Sequence, residues 1–143
     1  MSSRMRKPEE TMLQISCNDW LLVKKHLTAG ETRRIMGRVI VNMPAGEQPQ
    51  LDPMKVGVSQ AMEYLLDWSI TDADDKPITF KNSSGEPDAG RIAAALDHLD
   101  PEAFQEITDA IAKHDDAMKA ERQAEKNAKA GAMPSSAIYG SAA

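Results

Sequence analysis

The feature that most constrains this chain is a series of apolar residues at helical spacing that ends on a tryptophan. Met54, Val58, Ala61, Leu65 and Trp68 follow one another at intervals of four, three, four and three residues. Residues at these intervals share one face of an α-helix, so the series predicts a helix with a single buried stripe. Trp68 has the largest apolar surface of the five, and we expect it to anchor the core.

Short capping motifs predict where the helices begin. Asp52-Pro53 and Asp100-Pro101 each place a capping carboxylate before a proline at the first helical position, where the missing amide does no harm. Thr28 is followed three residues later by Glu31, which is the pattern of a capping box. Asp88 is expected to cap a further short helix.

Two helices are predicted on either side of Thr28. The first starts at Asn18 or Asp19 and ends near Leu27, with Trp20 and Val23 on its apolar stripe. The second begins after Thr28 and has a wide apolar face. That face consists of Ile35, Met36, Val39, Ile40 and Met43.

The remaining segments alternate between loops and one long helix. Proline and glycine predict a loop over 44–50, a short hairpin fits Ser69–Phe80, and 81–90 reads as a loop. The last helix follows Pro101 and is expected to continue as a charged helix to about Lys129. Its apolar stripe consists of Phe104, Ile107, Ile111, His114 and Met118.

The predicted fold class is therefore mainly α. It is a small helical domain with room for a short β-hairpin near 69–80 and a long C-terminal helix followed by a disordered tail. The expected organisation is a disordered arm over 1–11, a helical domain over 12–118, and a protruding charged helix end with a flexible tail over 119–143. A short strand near residues 12–16 is the other β element that the pattern permits.

Composition narrows the classes of protein that fit. The chain has 143 residues, 41% hydrophobic and 4% aromatic, so its core must be aliphatic. Its nine methionines suit irregular cores and adaptable binding surfaces. A formal charge of −5 argues against nucleic-acid binding. No run approaches the roughly 20 apolar residues that cross a bilayer, and no signal peptide is visible, so we expect a cytoplasmic protein.

Catalytic, cofactor and metal sites are not indicated by the sequence. Cys17 is the single cysteine and is expected to be a buried or half-buried thiol rather than a nucleophile. Asp72, Asp74 and Asp75 suggest a calcium loop, but the glycine and glutamate that such a loop needs are missing. His114 is expected at the edge of the core. Phosphate-binding loops and hydrolase motifs are also missing from the sequence.

A basic cluster leaves one other class of protein open. The helix pair predicted around Thr28 has the outline of a helix-turn-helix, whose basic residues would contact DNA phosphates. A surface that binds a protein fits the negative overall charge better. The basic residues are Lys24, Lys25, Arg33, Arg34 and Arg38.

Three stretches together resemble the tail assembly chaperones of siphophage-type bacteriophages. They are Trp20–Glu31, Glu63–Pro77, and Leu96–Pro101 leading into the last helix. The likeness covers roughly residues 13–130, and its motifs mark structure rather than a catalytic centre. Asp75 stands where the resemblance leads us to expect glycine, and aspartate tolerates the left-handed conformation that such a turn needs.

The resemblance implies a non-enzymatic chaperone that binds the tape measure protein and helps recruit tail tube subunits. Such a protein acts in the host cytoplasm and is not expected in the mature virion. It implies no cofactor, metal, nucleic acid or membrane partner, and a homo-oligomer is compatible with the sequence. A structural virion component of the tail or head-tail connector and a small DNA-binding regulator are the alternatives. The expected partner-binding residues are Met36, Ile40, Met43, Arg34 and Arg38.

Overall fold

The computed structural model describes residues 8–41, 50–51 and 53–131 of the protein. The chain divides into two compact units, Met1–Ala112 and Lys113–Ala143. The fold is mostly α with some β, since 57% of it is helical. The predicted mainly helical class and the long C-terminal helix are confirmed. Of the small sheet, only the strand near residues 12–16 was predicted, and it corresponds to the strand Glu10–Gln14.

The described residues form four α-helices and five short strands. The helices are α1 Ala29–Val39, α2 Pro53–Tyr64, α3 Ala89–Asp97 and α4 Pro101–Gly131. The strands are β1 Glu10–Gln14, β2 Trp20–Lys24, β3 Ile40–Val41, β4 Gln50–Leu51 and β5 Leu65–Trp68.

The helix starts follow the capping chemistry of the sequence. The Thr28 hydroxyl accepts a hydrogen bond from the Glu31 amide at 3.2 Å, and the Glu31 carboxylate accepts one from the Thr28 amide at 2.8 Å. Asp88 and Asp100 each accept a hydrogen bond from the amide three residues on, at 3.0 and 2.8 Å. Helix α2 begins at Pro53. The predicted capping box is therefore confirmed, as are the helix starts at Pro53 and after Thr28, Asp88 and Asp100.

The helix predicted before Thr28 is wrong, because this segment is the central strand β2. The three-stranded antiparallel sheet has the order β1-β2-β5, and a short 3-10 turn at Ser16–Asn18 joins its first two strands. Leu21 and Val23 are fully buried while their neighbours are half-buried, which is the alternation of a strand. The apolar residues of this segment fit the spacing of a helix as well as the alternation of a strand.

The helix predicted through Trp68 ends earlier, at Tyr64, and the chain continues as β5. Leu65 and Trp68 are both buried, although residues three apart in a regular strand face opposite sides. An irregularity in the pairing of β5 with β2 shifts the register between them. A bulge of this kind adds one residue and turns both side chains to the same side.

Trp68 anchors the core of the first unit, as predicted. Its side chain is 5% exposed, and its ring meets Phe80 edge to face with centroids 5.2 Å apart. The indole Nε1 donates a hydrogen bond to the Ile78 carbonyl at 2.8 Å. Buried aliphatic residues from β2, β5, α3 and α4 complete the cluster. They include Leu21, Val23, Leu65, Ile92, Leu96, Ile107 and Ile111.

The hairpin predicted near 69–80 is instead a tight turn with a single β-bridge, between Thr71 and Pro77. The Asp72 carboxylate accepts hydrogen bonds from the amides of Asp74 and Lys76 at 2.8 and 3.0 Å. This arrangement satisfies the backbone of the turn locally, so no paired strands are needed.

A second turn of the same construction follows directly. Asn82 accepts hydrogen bonds from the amides two and four residues on, at 2.9 and 3.2 Å, and a bridge joins Lys81 to Pro87. The sequence analysis found no internal repeat. The likeness is one of backbone geometry, carried by an Asp or Asn at the first position and a left-handed residue at the fourth.

The second unit begins at Lys113, within α4. His114 and Asp115 are buried, at 7% and 6% exposure. Asp115 forms an ion pair with Lys119 four residues further on, with an N–O distance of 2.8 Å. The bounds of α4 agree with the predicted end near Lys129.

Several expectations lie wholly or partly outside the described residues. They concern most of the N-terminal arm, Met43, most of the loop over 44–50, the cap Asp52 and the C-terminal tail beyond Gly131. Strand β1 begins at Glu10, at the end of the predicted arm. The predicted domain boundary at 118 stays a prediction.

Candidate binding surfaces around helix α1

The residues predicted to bind a partner divide between two flanks of α1. Val39 is 2% exposed and marks the side of the helix that faces the core. Because an α-helix turns about 100° per residue, Arg34 and Arg38 lie on one side of this ridge and Met36 and Ile40 on the other. The structure therefore places the arginine pair and the apolar pair on separate surfaces of the helix.

Met36, Gly37 and Ile40 form the outer flank of α1. Met36 is 42% exposed and Ile40 is 38% exposed, although both are large apolar side chains. A Cβ added at Gly37 would meet no other atom within 4 Å. The outer flank is thus an exposed apolar strip with a notch at its solvent-facing edge, and among the described residues no packing contact requires the glycine.

Arg34, Arg38 and Glu63 form the arginine cluster on the opposite flank. The Glu63 carboxylate, from α2, has only 5% of its side chain exposed. Its Oε1 accepts hydrogen bonds from Arg34 Nε at 3.0 Å and lies 2.9 Å from Arg34 Nη2, and its Oε2 accepts one from Arg38 Nη1 at 2.5 Å. Two charged donors compensate for the loss of water around this buried carboxylate.

The arginine cluster also affects the titration of its exposed member. Hydrogen bonding to Glu63 and its negative charge raise the pKa of Arg34 above the ordinary value for arginine. Arg38 also lies 3.5 Å from the hydroxyl of the buried Ser59. The cluster therefore ties α1 to α2 through two charged hydrogen-bonded pairs.

Lys24 and Glu31 form a second ion pair beside the cluster. Burial raises the pKa of the Glu31 carboxyl, but hydrogen bonds from Lys24 and from the Thr28 amide outweigh it, so the pKa is lowered overall. One carboxylate thus serves both the capping box of α1 and the pairing of α1 with β2.

A groove runs beside these ion pairs and has a volume of about 450 Å³. We call it the basic groove. Its apolar lining comes from α2, β5 and the segment that leads into α3, and its cations come from β2 and α1. The lining residues are Lys24, Arg34, Arg38, Met62, Glu63, Leu65, Leu66, Glu86, Pro87 and Ala89.

The helix-turn-helix outline is wrong, because a strand and not a helix precedes Thr28. The basic residues that suggested it are also engaged with carboxylates. Lys24 pairs with Glu31, and Lys25 lies 3.6 Å from Glu9. The arginine cluster accounts for two more, so little of this charge is arranged for a phosphate backbone.

Cys17 is exposed, so the expectation of a buried or half-buried thiol is wrong. It stands in the turn between β1 and β2 with a left-handed φ of 59°. The neighbouring cleft is lined by carboxylates, among them Asp19, Asp100 and Glu106, and none of its lining residues is a histidine. Among the described residues, the histidine partner that commonly activates a cysteine nucleophile is therefore not found in this cleft.

The remaining candidates have structural surroundings. The Asp72 carboxylate is engaged with the backbone of its own turn. In the part of the chain that the structure describes, no three acidic, histidine or cysteine side chains are close enough together to hold a metal ion. His114 is buried, as its place on the apolar stripe of α4 indicated.

Comparison with known proteins found no matching family model, no matching curated protein and no matching solved structure. Among the described residues, no helix combines the length and the apolar character needed to cross a bilayer.

Glu63 is the residue of the site that the sequence analysis missed. Arg34 and Arg38 are four residues apart, which signals a shared helix face, but nothing local identifies a carboxylate 25 and 29 residues further on as their acceptor. Only the packing of α1 against α2 brings the three side chains together.

Proposed function

We propose that this protein is a non-enzymatic tail assembly chaperone of a bacteriophage. In this role it binds the tape measure protein, keeps its apolar helical segments soluble and helps to recruit tail tube subunits. The observation that carries the proposal is the outer flank of α1, where two large apolar side chains remain exposed beside a glycine. The three sequence stretches given above supply the identity of the client.

The outer flank is suited to bind an apolar helix. Met36 and Ile40 are four residues apart and therefore present neighbouring side chains to a partner. Methionine adapts its shape to different apolar surfaces, which suits a client with many similar segments. Exposed apolar groups at regular spacing are typical of sites that take an amphipathic helix.

Gly37 supports the same use of this surface. A glycine inside a helix costs about 0.5–1 kcal/mol relative to alanine. No neighbouring atom of the protein fills the space of its missing side chain. The notch allows the backbone of a bound helix to approach α1 at the edge of the apolar strip.

The proposal is tested by co-expression with fragments of a siphophage tape measure protein. We expect the full chain to co-purify with helical fragments and to keep them in the supernatant. Fragments that precipitate equally with and without the chain would contradict the proposal. Mass spectrometry of purified virions should not find this protein, and finding it there in stoichiometric amounts would identify a structural virion component instead.

A further inference from the structure

The basic groove has cations at its surface and carboxylates beneath them. Within the arginine cluster the Glu63 side chain is 5% exposed, whereas the side chains of Arg34 and Arg38 are 57% and 29% exposed. In the neighbouring ion pair, too, the cation is more exposed than the carboxylate: 32% of the Lys24 side chain is exposed and 10% of the Glu31 side chain. A ligand in the groove therefore meets the cations before it meets their carboxylates.

The arginine cluster also has more donors than its carboxylate can use. Arg34 directs Nε and Nη2 to Glu63, and among the described residues its Nη1 has no protein acceptor. Two guanidiniums share one buried carboxylate, so the cluster has one positive charge in excess. Glu86 is the other carboxylate of the lining that is not part of an ion pair described above. No ion pair among the described residues joins it to either arginine.

The rest of the groove is apolar. Met62 and Leu66 lie beside the cations, and Pro87 and Ala89 come from the segment that leads into α3. A volume of about 450 Å³ is in the ordinary range for ligand pockets. A fitting ligand therefore has a carboxylate close to apolar side chains.

We propose that the basic groove is a second docking site, which binds an acidic and apolar peptide segment of a protein partner. A carboxylate of the segment takes the unused donors of Arg34 and Arg38, and the adjacent apolar side chain packs on Met62 and Leu66. The apolar lining favours this ligand over a nucleic acid, because a polyanion would leave Met62 and Leu66 without an apolar partner and would bring further phosphates against Glu86. The site is independent of the outer flank.

The test is a titration of the ¹⁵N-labelled full chain, followed by NMR, with the peptide acetyl-Leu-Glu-Leu-Glu-Leu-amide. The control peptide has Gln in place of both Glu residues. We expect the Nε resonance of Arg34 and the backbone amides of 62–66, Glu86, Asp88 and Ala89 to shift. The acidic peptide should bind about tenfold more tightly than the control, with the difference decreasing as salt is added.

Matched variants identify the charged residue that causes the preference for the acidic peptide. Arg34→Gln should abolish the preference for the acidic peptide, while Arg38 still pairs with Glu63 and preserves the fold. Arg33→Gln removes the same charge from an exposed neighbouring position and should leave the preference unchanged. Should Arg34→Gln fail to fold, Arg34→Lys, which keeps the charge but loses the planar donor pair, should weaken the preference.

Equal binding of the two peptides, or shifts confined to residues outside the groove, would overturn this proposal. So would a variant Arg34→Gln that keeps the full preference. A duplex oligonucleotide that shifts the same resonances at lower concentration than the acidic peptide would also overturn it. None of these results bears on the outer flank, which is tested separately with tape measure fragments.

Discussion

Asp75 and Gly85 occupy the same left-handed position in two consecutive turns. Their φ angles are 59° and 80°, and each amide donates to the carbonyl of the residue that opens its turn, at 3.1 and 3.0 Å. Aspartate pays a steric cost in this conformation that glycine does not. The glycine that the family resemblance led us to expect at the first turn is thus present in the second.

Exchanging these residues should have opposite effects on stability. We expect Asp75→Gly to raise the free energy of unfolding by about 0.5 kcal/mol and Gly85→Asp to lower it by about 1 kcal/mol. A Cβ at Gly85 meets no atom within 4 Å, so the second effect arises from the backbone alone. Urea denaturation of both variants measures the two values. Effects of the same sign would contradict the shared backbone geometry.

Trp68 should be among the residues that contribute most to stability. Trp68→Ala is expected to lower the free energy of unfolding by about 3–5 kcal/mol, because it leaves a cavity beside Phe80 and removes the bond to Ile78. Trp20 is the other tryptophan of the chain and is only half-buried, so Trp20→Ala is the matched control and should cost less. A loss below about 1 kcal/mol for Trp68→Ala would mean that the ring does not anchor the core.

Local chemistry and long-range packing differ in how well the sequence predicts them. The helix starts at Thr28, Asp88 and Asp100 were predictable because caps involve residues close in sequence. The strand β2 was not, because its apolar run matches a helical stripe as well as a strand. Its neighbours β1 and β5 decide between the two, and β5 follows only after α1 and α2.

The candidate site shows the same limit. Met36 and Ile40 were expected to contact a partner because of the family resemblance, and the structure leaves both side chains partly exposed. Their separation from Arg34 and Arg38 follows from the helical period once Val39 is known to face inward. The acceptor Glu63 depends on how two helices pack, which no local pattern records.

Stability should fall in acid partly through Glu31. The pKa of its carboxyl is lowered in the folded protein, so its contribution is present above the unfolded value near 4.3 and disappears as the pH falls through the folded pKa. Glu31→Gln keeps the capping box but loses the charged pair with Lys24, and we expect it to cost about 1 kcal/mol at pH 7.

Urea unfolding at a series of pH values measures this effect. The difference between wild type and Glu31→Gln should be constant from pH 7 to about pH 5 and should shrink toward zero below about pH 4. A difference that is independent of pH over this range would show that the pairing of Glu31 with Lys24 does not stabilise the fold.

Gly37→Ala should separate stability from binding. Alanine at this exposed helical position should raise the free energy of unfolding by about 0.5–1 kcal/mol, because no atom of the protein obstructs the added methyl group. If a client helix uses the notch, the same variant should bind tape measure fragments more weakly. Thermal unfolding and calorimetric titration report the two effects. Tighter or unchanged binding would show that the notch is not a contact.

The most direct measurement of the central claim is the affinity of the variant Met36→Glu/Ile40→Glu for a tape measure fragment. The outer flank is exposed, so we expect an unchanged circular dichroism spectrum together with loss of co-purification. Met12→Glu alters the most exposed large apolar side chain, at 52%, on a different element and should bind like wild type. Retention of the fragment by the folded double variant would contradict the account.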